Sequence, residues 1–363
     1  MKAIVFTVTN DLNYDQRMIR ICQSLTTAGY QVTLIGRKLP DSLPLRSRPF
    51  RQLRLRCLFN HGPLFYLEYN LLLFFRLLFI KADLLCAIDL DTILPNLFVS
   101  RIRGIVRVYD AHELFCEMQE IVERPRIYRI WKKIEKYSVP FFKNGYTVNQ
   151  PIADEFRKLY GHHYKVIRNM PLLTNLVELP KPERFILYQG AVNEGRSFDT
   201  LIPAMKMVNA RLYIAGSGNY LQQTRELVKK NQLEQQVIFL GELLPEVLRE
   251  KTREAYIGIT LFENKGLSNY YSLANRFFDY LHAGVPQLCV DYPVYHELNK
   301  TLPVAVLTLD LSPETIAGKL NLLLENDVLY RELQDNCQLR RKTLNWQEEE
   351  KKLIEFYNIL IPT

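Results

Sequence analysis

A polar stretch with helical spacing, residues 266–286, carries the side chains best suited to bind a phosphorylated sugar. Asn275 and Asp279 lie one predicted helical turn apart, and Tyr271 precedes Asn275 by another turn. A helix that starts beside a polar loop offers free N–H groups and a positive dipole end to a phosphate, while a carboxylate farther along can accept from sugar hydroxyls. This combination suits a nucleotide sugar. The same spacing also fits an ordinary amphipathic helix with a polar outer face.

A phosphate cradle is predicted after the strand Phe185–Gly190, where residues 191–196 form a turn that ends in Arg196. A helix follows from about residue 198 to 208. Backbone donors of a glycine turn, a guanidinium group and a helix start can share the charge of a diphosphate. The strand over residues 211–218 also ends in a Gly-x-Gly turn, which begins at Gly216.

Titratable groups cluster where another predicted strand, residues 104–110, reaches its end: Asp110, His112 and Glu113. Ligands of open α/β sheets bind at this edge, so His112 and Glu113 are candidates for function, although a lone histidine is also commonly structural. Asp89 and Asp91 have the spacing of a metal-binding pair, but they belong to the first half of the chain, away from the predicted cradle. We therefore expect no catalytic metal.

The elements that position these groups alternate between strands and helices, beginning with β-α-β over residues 2–36, and this order predicts parallel sheets. Residues 9–17 lack the Gly-x-Gly-x-x-Gly turn of an NAD or FAD enzyme. Residues 144–149 are the last predicted strand of a first domain. The predicted linker to a second domain is residues 168–182, which contain three prolines and show no periodicity. In the second domain, Ser272 is the expected N-cap of a helix that ends at Gly284.

The basic excess of the chain is confined to its first part. Residues 1–150 hold 22 Lys and Arg against 13 Asp and Glu, whereas the remainder holds 25 against 26. Such a surface can face anionic lipid, an anionic acceptor, nucleic acid or only solvent. Residues 64–80 are apolar nearly all round but too short and too charged to span a bilayer, which leaves a buried helix or a helix seated on a membrane. Six scattered cysteines and an N-terminus that starts directly with a strand favour the cytoplasm.

Three segments resemble family-4 glycosyltransferases of the GT-B fold (glycosyl transferases group 1). Residues 279–286, Asp-Tyr-Leu-His-Ala-Gly-Val-Pro, are similar to the family's Glu-x-x-x-x-Gly-x-Pro, with Asp279 in place of Glu and Arg276 in place of a Lys. Residues 15–20 and 110–113 resemble the family's Asp-x-Arg-(apolar)-x-Arg and Asp-x-His-Glu turns. The chain departs from the family at Tyr271, where a second Glu is usual, and at Ala191, where a cation is usual.

The resemblance implies an α/β fold with two Rossmann-like domains that face each other across a cleft. The implied acceptor domain covers residues 1–167, the nucleotide-sugar domain covers 168–345, and a helix over 346–363 returns to the first domain. The implied activity is a retaining, metal-independent glycosyltransferase of the hexosyltransferase type. It would move sugar from a UDP- or GDP-type donor to a lipid-linked or saccharide acceptor, in the synthesis of cell-surface polysaccharide such as lipopolysaccharide or of glycolipid.

By the same resemblance, His112 and Glu113 orient sugar and acceptor, and Arg196 stabilises the leaving diphosphate. The donor-binding set is Gly190, Arg196, Gly216, Ser268, Asn269, Tyr271, Ser272, Asn275, Arg276 and Asp279. No cofactor, metal or nucleic acid is expected, and the location is cytoplasmic, with a peripheral position at the inner face of the plasma membrane left open. An epimerase of the same fold and a non-catalytic partner subunit remain alternatives.

Overall fold

The structure, a computed structural model, describes residues 1–175 and 183–362. The chain divides into two compact units: unit 1 comprises Met1–Asn169 and Glu348–Thr363, and unit 2 comprises Met170–Gln347. These boundaries lie two residues beyond those predicted from sequence. Residues 176–182 of the predicted linker fall outside the described residues.

Unit 1 contains a seven-stranded parallel sheet with the order β3-β2-β1-β4-β5-β6-β7. Its strands are β1 (Ala3–Thr7), β2 (Gln31–Lys38), β3 (Arg51–Arg56), β4 (Leu84–Ile88), β5 (Val106–Ala111), β6 (Gly145–Thr147) and β7 (Lys165–Val166). The expectation that residues 144–149 form the last strand is wrong, because β7 pairs with β6 beyond it. The two residues of β7 are too few to show a period in the sequence.

Six helices of unit 1 precede the linker: α1 (Gln16–Thr27), α2 (Gly62–Phe79), α3 (Ile93–Arg103), α4 (Gln119–Val122), α5 (Pro125–Ser138) and α6 (Gln150–Tyr160). Local signals set their ends. The Asp15 side chain accepts from the Met18 N–H at 3.0 Å and caps α1, and Gly104 ends α3 in the left-handed conformation.

Unit 2 contains a six-stranded parallel sheet with the order β10-β9-β8-β11-β12-β13. Its strands are β8 (Ile186–Gln189), β9 (Leu212–Ala215), β10 (Val237–Gly241), β11 (Ile257–Thr260), β12 (Gln287–Val290) and β13 (Ala305–Thr308). Its helices are α7 (Phe198–Ala204), α8 (Leu221–Lys230), α9 (Pro245–Glu254), α10 (Leu267–Tyr270), α11 (Asn275–Ala283), α12 (Pro293–Asn299), α13 (Pro313–Glu325) and α14 (Asp327–Arg340).

Both sheets therefore have the doubly wound strand order of Rossmann-like folds, which confirms the predicted fold class. The order reverses between β1 and β4 in unit 1 and between β8 and β11 in unit 2. Loops at the carboxyl ends of the strands that flank such a reversal are the usual ligand positions. The predicted site residues follow β5 in unit 1 and β8, β9 and β11 in unit 2.

The last helix, α15 (Trp346–Leu360), packs on the sheet of unit 1, as the resemblance implied. Tyr357 is fully buried, and its ring centroid lies 5.9 Å from that of Phe6 and 6.3 Å from that of Tyr146. The Tyr30 hydroxyl donates to Asn358 Oδ1 across 2.6 Å. The core of unit 1 is therefore completed by the end of the chain.

Candidate functional site

The start of α11 differs from the prediction. This helix begins at Asn275, with Ala274 rather than Ser272 at the N-cap position. The hydroxyl of Tyr295, on α12, accepts from the Ala274 N–H at 2.9 Å and lies 3.4 Å from the Ser272 hydroxyl. Ser272 therefore lies in the turn between α10 and α11, two residues before the N-cap position.

Asp279 is held by a chain of side-chain hydrogen bonds through three elements. The half-buried carboxylate, on α11, accepts from Gln189 Nε2 at 3.0 Å. Gln189 is the last residue of β8 and is buried, and its Oε1 accepts from the Thr252 hydroxyl of α9 at 2.7 Å. The amide therefore orients the carboxylate that the sequence predicted for sugar hydroxyls. Gln189 itself was not among the predicted residues.

Arg276 lies in the first turn of α11 and is buried against aromatic rings. Its guanidinium carbon lies 4.7 Å from the ring centroid of Tyr188 and 4.6 Å from that of Phe262. The group donates to the Tyr188 hydroxyl at 3.2 Å and to the carbonyl of Leu261 at 3.4 Å. A Cβ atom on Gly190 would lie 3.5 Å from Arg276 Nη1, so the predicted glycine turn passes directly beside this cation.

Arg196 reaches the same ring from the other predicted segment. Its guanidinium carbon lies 4.5 Å from the Phe262 centroid, and Nη1 donates to Asn269 Oδ1 at 3.2 Å. The Glu263 N–H donates to the carbonyl of Gly195 at 2.9 Å and ties the two loops together. The structure thus brings together the cradle after β8 and the loop after β11. Arg196 and Arg276 therefore both lie over the ring of Phe262.

Gly216 allows the loops after β8 and β9 to touch. It has φ +144°, and a Cβ atom there would lie 2.0 Å from the carbonyl oxygen of Gly190, so only glycine fits. Elsewhere in the predicted donor set, Ser268 is buried in α10 and Asn275 is exposed at the start of α11. Tyr271 is half-buried, with its ring centroid 5.3 Å from that of Tyr270.

In unit 1, His112 follows β5 and belongs to a network of charged groups. Asp89 accepts from the His112 N–H at 2.9 Å, and its other oxygen lies 3.4 Å from Nδ1. Nε2 lies 3.2 Å from Asp110 Oδ2 and 3.0 Å from Arg17 Nε, and Arg17 forms a buried ion pair of 2.8 Å with Asp110. Both ring nitrogens are therefore within reach of groups of unit 1, so this geometry fixes the ring orientation.

The network shifts the pKa values of its members. Burial lowers the pKa of His112, but the carboxylates of Asp110 and Asp89 outweigh this effect and raise it to about 9. Burial raises the pKa of Asp89 to about 7 against the opposing charge of His112, and Glu113 adds to this rise. Burial also raises the pKa of Asp91 to about 6, although the Thr9 hydroxyl donates to it at 2.5 Å.

Asp89 adopts a backbone conformation, φ 53° and ψ 179°, that is essentially restricted to glycine. Such a conformation costs on the order of 1–3 kcal/mol and persists only where the surroundings hold it. Here its carboxylate holds the backbone and ring of His112. Among the described residues, no group of three His, Cys, Asp or Glu side chains is arranged to hold a metal ion.

Comparisons with known proteins agree with this arrangement. Residues 175–340 match the family model described as "Glycosyl transferases group 1". A search of curated protein sequences finds no match. Among solved structures, sucrose-phosphate synthase from Thermosynechococcus elongatus superposes with a TM-score of 0.78 at 17% identity, covering 99% of each chain.

Two further solved structures are similar over the same extent. Anabaena HepE in complex with UDP-glucose has a TM-score of 0.75 at 13% identity, covering 99% of this chain and 100% of that one. WaaG, "a glycosyltransferase involved in lipopolysaccharide biosynthesis", has a TM-score of 0.73 at 15% identity, with the same coverage.

The strand orders, the near-complete superpositions and the loops at the carboxyl ends of the sheet of unit 2 define a GT-B fold. Residues 175–340 form a group 1 glycosyltransferase domain, and the chain is a glycosyltransferase.

Proposed function

We propose that this protein is a retaining, metal-independent glycosyltransferase of family 4 that binds a nucleotide-diphosphate sugar through unit 2. The convergence of Arg196 and Arg276 on Phe262, beside the Gly190 turn, is the observation that carries the proposal. Two cations and a glycine turn at the carboxyl ends of β8 and β11 suit a diphosphate. Asp279, oriented by Gln189, suits the hydroxyls of the ribose.

The main chemical demand of sugar transfer from such a donor is the negative charge that develops on the leaving diphosphate. Preorganised donors lower this barrier because they are fixed before the reaction begins. The ring of Phe262 and the bonds to Asn269, Tyr188 and Leu261 hold the two guanidinium groups in place. In this proposal Arg196 and Arg276 supply the electrostatic stabilisation without a metal.

The acceptor in this proposal is a lipid-linked or saccharide molecule used in cell-surface polysaccharide or glycolipid synthesis. Similar structures support this class: HepE is in complex with UDP-glucose, and WaaG is involved in lipopolysaccharide biosynthesis. A mutant of S. aureus TarM, another similar structure, is in complex with fondaparinux, alpha-GlcNAc-glycerol and UDP. A UDP-type donor is therefore the first to test and a GDP-type donor the second. The proposed location is the cytoplasm.

The deciding experiment incubates the purified chain with UDP- and GDP-sugars, with and without candidate acceptors, in a chelating buffer. Acceptor-dependent release of nucleotide supports the transferase, and the anomeric configuration of the product tests retention. Donor isomerisation without acceptor indicates an epimerase, and binding without turnover indicates a non-catalytic subunit. Either result overturns the proposal.

Arg196→Ala tests the assigned role within the same assay. Loss of a preorganised donor costs about 3–4 kcal/mol of transition-state stabilisation in comparable sites, so kcat/KM should fall by a factor on the order of 100 or more. Arg225→Ala is the matched control, because Arg225 lies over Phe239 at the same 4.5 Å but belongs to α8. Equal effects of the two substitutions would remove Arg196 from the mechanism.

A further inference from the structure

Helix α2 of unit 1 has apolar side chains on two opposite faces. Its buried stripe packs into the core of unit 1: Phe65, Tyr69, Leu73 and Leu77. A second stripe, at successive turns on the opposite face, is exposed: Leu64, Leu67, Leu71, Phe75 and Phe79. Phe75 is 58% exposed and Phe79 86%. The helix rises about 27 Å over its 18 residues, so the exposed stripe is long as well as apolar.

The segment before α2 extends this apolar surface. Leu58 is 86% exposed and Phe59 45%, yet both have a fixed backbone. The Glu68 carboxylate, on α2, accepts from the Leu58 N–H at 2.8 Å and from the Phe59 N–H at 2.9 Å. These bonds hold the large apolar side chains of Leu58 and Phe59 at the surface. They also engage the carboxylate of Glu68.

Helices α3 and α5 continue the surface, because α2 packs on α3 and α3 packs on α5. Phe98 and Ile102 of α3 are exposed, and the Phe98 ring centroid lies 6.4 Å from that of the exposed Tyr137 on α5. We call the outer faces of α2, α3 and α5, with residues 58–59, the apolar–basic face.

Cations outnumber carboxylates on this face by four to one. The three helices contain eight cations: Arg76, Arg101, Arg103, Arg126, Arg129, Lys132, Lys133 and Lys136. Their two carboxylates, Glu68 and Glu135, are engaged, since Glu135 is buried and accepts from Lys132 Nζ at 2.9 Å. Exposed apolar stripes beside an excess of cations match an anionic lipid surface, where apolar side chains enter the interface and cations meet the headgroups.

By length and composition, α2 is the one helix in the described part of the chain that is apolar enough to cross a membrane, and 22% of it is buried. Its buried stripe packs in the core with residues of β1, β2 and β4. If α2 crossed a bilayer, these side chains would lose their contacts with the sheet. A helix that keeps one face in the core and presents the other to lipid lies along the membrane surface.

We propose that the apolar–basic face seats unit 1 on an anionic lipid bilayer. This inference concerns a surface of unit 1, and it holds whether or not the transfer reaction proposed for unit 2 is correct. Charge complementarity selects the bilayer as the occupant in preference to a second copy of this basic face, which would be repelled.

Flotation of the full chain with vesicles tests this inference, using phosphatidylcholine alone or mixed with phosphatidylglycerol. We expect the wild type to float with the mixed vesicles and to float less with the neutral ones. Leu67→Glu with Phe75→Glu should abolish flotation. Lys133→Gln with Lys136→Gln should lower the partition coefficient about fivefold per cation removed, as expected for cations near an anionic surface.

The matched control is Leu309→Glu with Val328→Glu, which changes two exposed apolar residues of unit 2, 68% and 81% exposed. It should float like the wild type, and circular dichroism melts confirm that each variant is folded. A wild type that stays soluble with both vesicles, or equal losses in the two Glu variants, overturns the inference. A concentration-dependent dimer in light scattering that Leu67→Glu with Phe75→Glu removes, without vesicle binding, also overturns it, because a second copy then covers the face.

Discussion

Gln189 donates a hydrogen bond of 3.0 Å to Asp279, and this bond joins the end of β8 to the middle of α11. The two residues are ninety positions apart in the sequence. Because the other end of the amide accepts from Thr252, the amide cannot rotate without losing both bonds. The orientation of the Asp279 carboxylate, which we propose binds the donor, therefore depends on the neutral amide of Gln189.

Gln189→Met should weaken donor binding about fivefold, which corresponds to roughly 1 kcal/mol for one lost hydrogen bond. Methionine fills the same space but cannot donate to Asp279. Calorimetric titration with the donor measures the dissociation constant. Thr252→Val is the control, because it removes the other bond of the amide and leaves the bond to Asp279 in place, so its effect should be smaller. An unchanged dissociation constant for Gln189→Met would show that Asp279 is held by other means.

Arg276→Lys should lower both the stability of unit 2 and kcat/KM. An ammonium group cannot lie over two rings and reach both the Tyr188 hydroxyl and the Leu261 carbonyl, as the planar guanidinium does. Loss of a desolvated cation–π contact costs about 2 kcal/mol. Urea unfolding and steady-state kinetics measure the two effects. Arg225→Lys, at an exposed Arg-over-Phe contact, should stay within about 0.5 kcal/mol of the wild type. Equal stability losses in Arg276→Lys and Arg225→Lys would show that the two rings and two acceptors around Arg276 add no stability beyond that of an exposed contact.

The free energy of unfolding of unit 1 should fall as pH rises from 6.5 toward 9. The pKa of His112 is about 9 in the folded chain and near 6.5 in the unfolded chain, so the folded state binds more protons within this window. Its contribution is complete below pH 6.5 and is lost as pH rises through 9. The raised pKa of Asp89 acts with the same sign, from about pH 4 to 7.

Urea titrations at several pH values compare the wild type with His112→Gln. The variant should show a flatter dependence between pH 6.5 and 9, because glutamine does not titrate. Parallel curves for the two proteins would mean that His112 is not held as a cation by Asp89 and Asp110.

Tyr357→Ala should destabilise unit 1 by about 3–5 kcal/mol, the cost of removing a large buried ring. Tyr357 is fully buried in α15 beside Phe6 and Tyr146. Urea unfolding followed by hydrogen exchange measures the stability of each of the two units separately. Ile359→Ala, at a 70% exposed position of the same helix, should change stability by less than about 0.5 kcal/mol. A loss confined to unit 2 would contradict the assignment of α15 to unit 1.

The sequence was most informative where local signals act alone. The predicted end of α11 at Gly284 agrees with the structure, because Gly284 adopts the left-handed conformation that ends a helix. β3 was not predicted, since three arginines in six residues hide the alternation of an edge strand. Ser272 was misplaced as a cap because α11 begins three residues later, after a turn in which Tyr295, from a later helix, accepts from the Ala274 N–H.

The site was predicted only in part, for a related reason. Motifs pointed to Arg196, Arg276 and Asp279, but the groups that orient them lie on other elements. Gln189 and Phe262 have no motif of their own, and their partners become neighbours only when β8 and β11 pair in the sheet. The strained backbone of Asp89 likewise follows from tertiary contacts with His112, which residue types do not reveal.

Donor binding by unit 2 is tested most directly by a calorimetric titration of UDP-glucose, and then of other UDP- and GDP-sugars, into the wild type, Arg196→Ala and Arg225→Ala without divalent ions. We predict one binding site per chain in the wild type and in Arg225→Ala. Arg196→Ala should bind at least about tenfold more weakly, since a hydrogen bond to a charged group contributes about 1.5–3 kcal/mol. Absence of binding for every nucleotide sugar, or equal affinity of Arg196→Ala and the wild type, would contradict the proposed donor site.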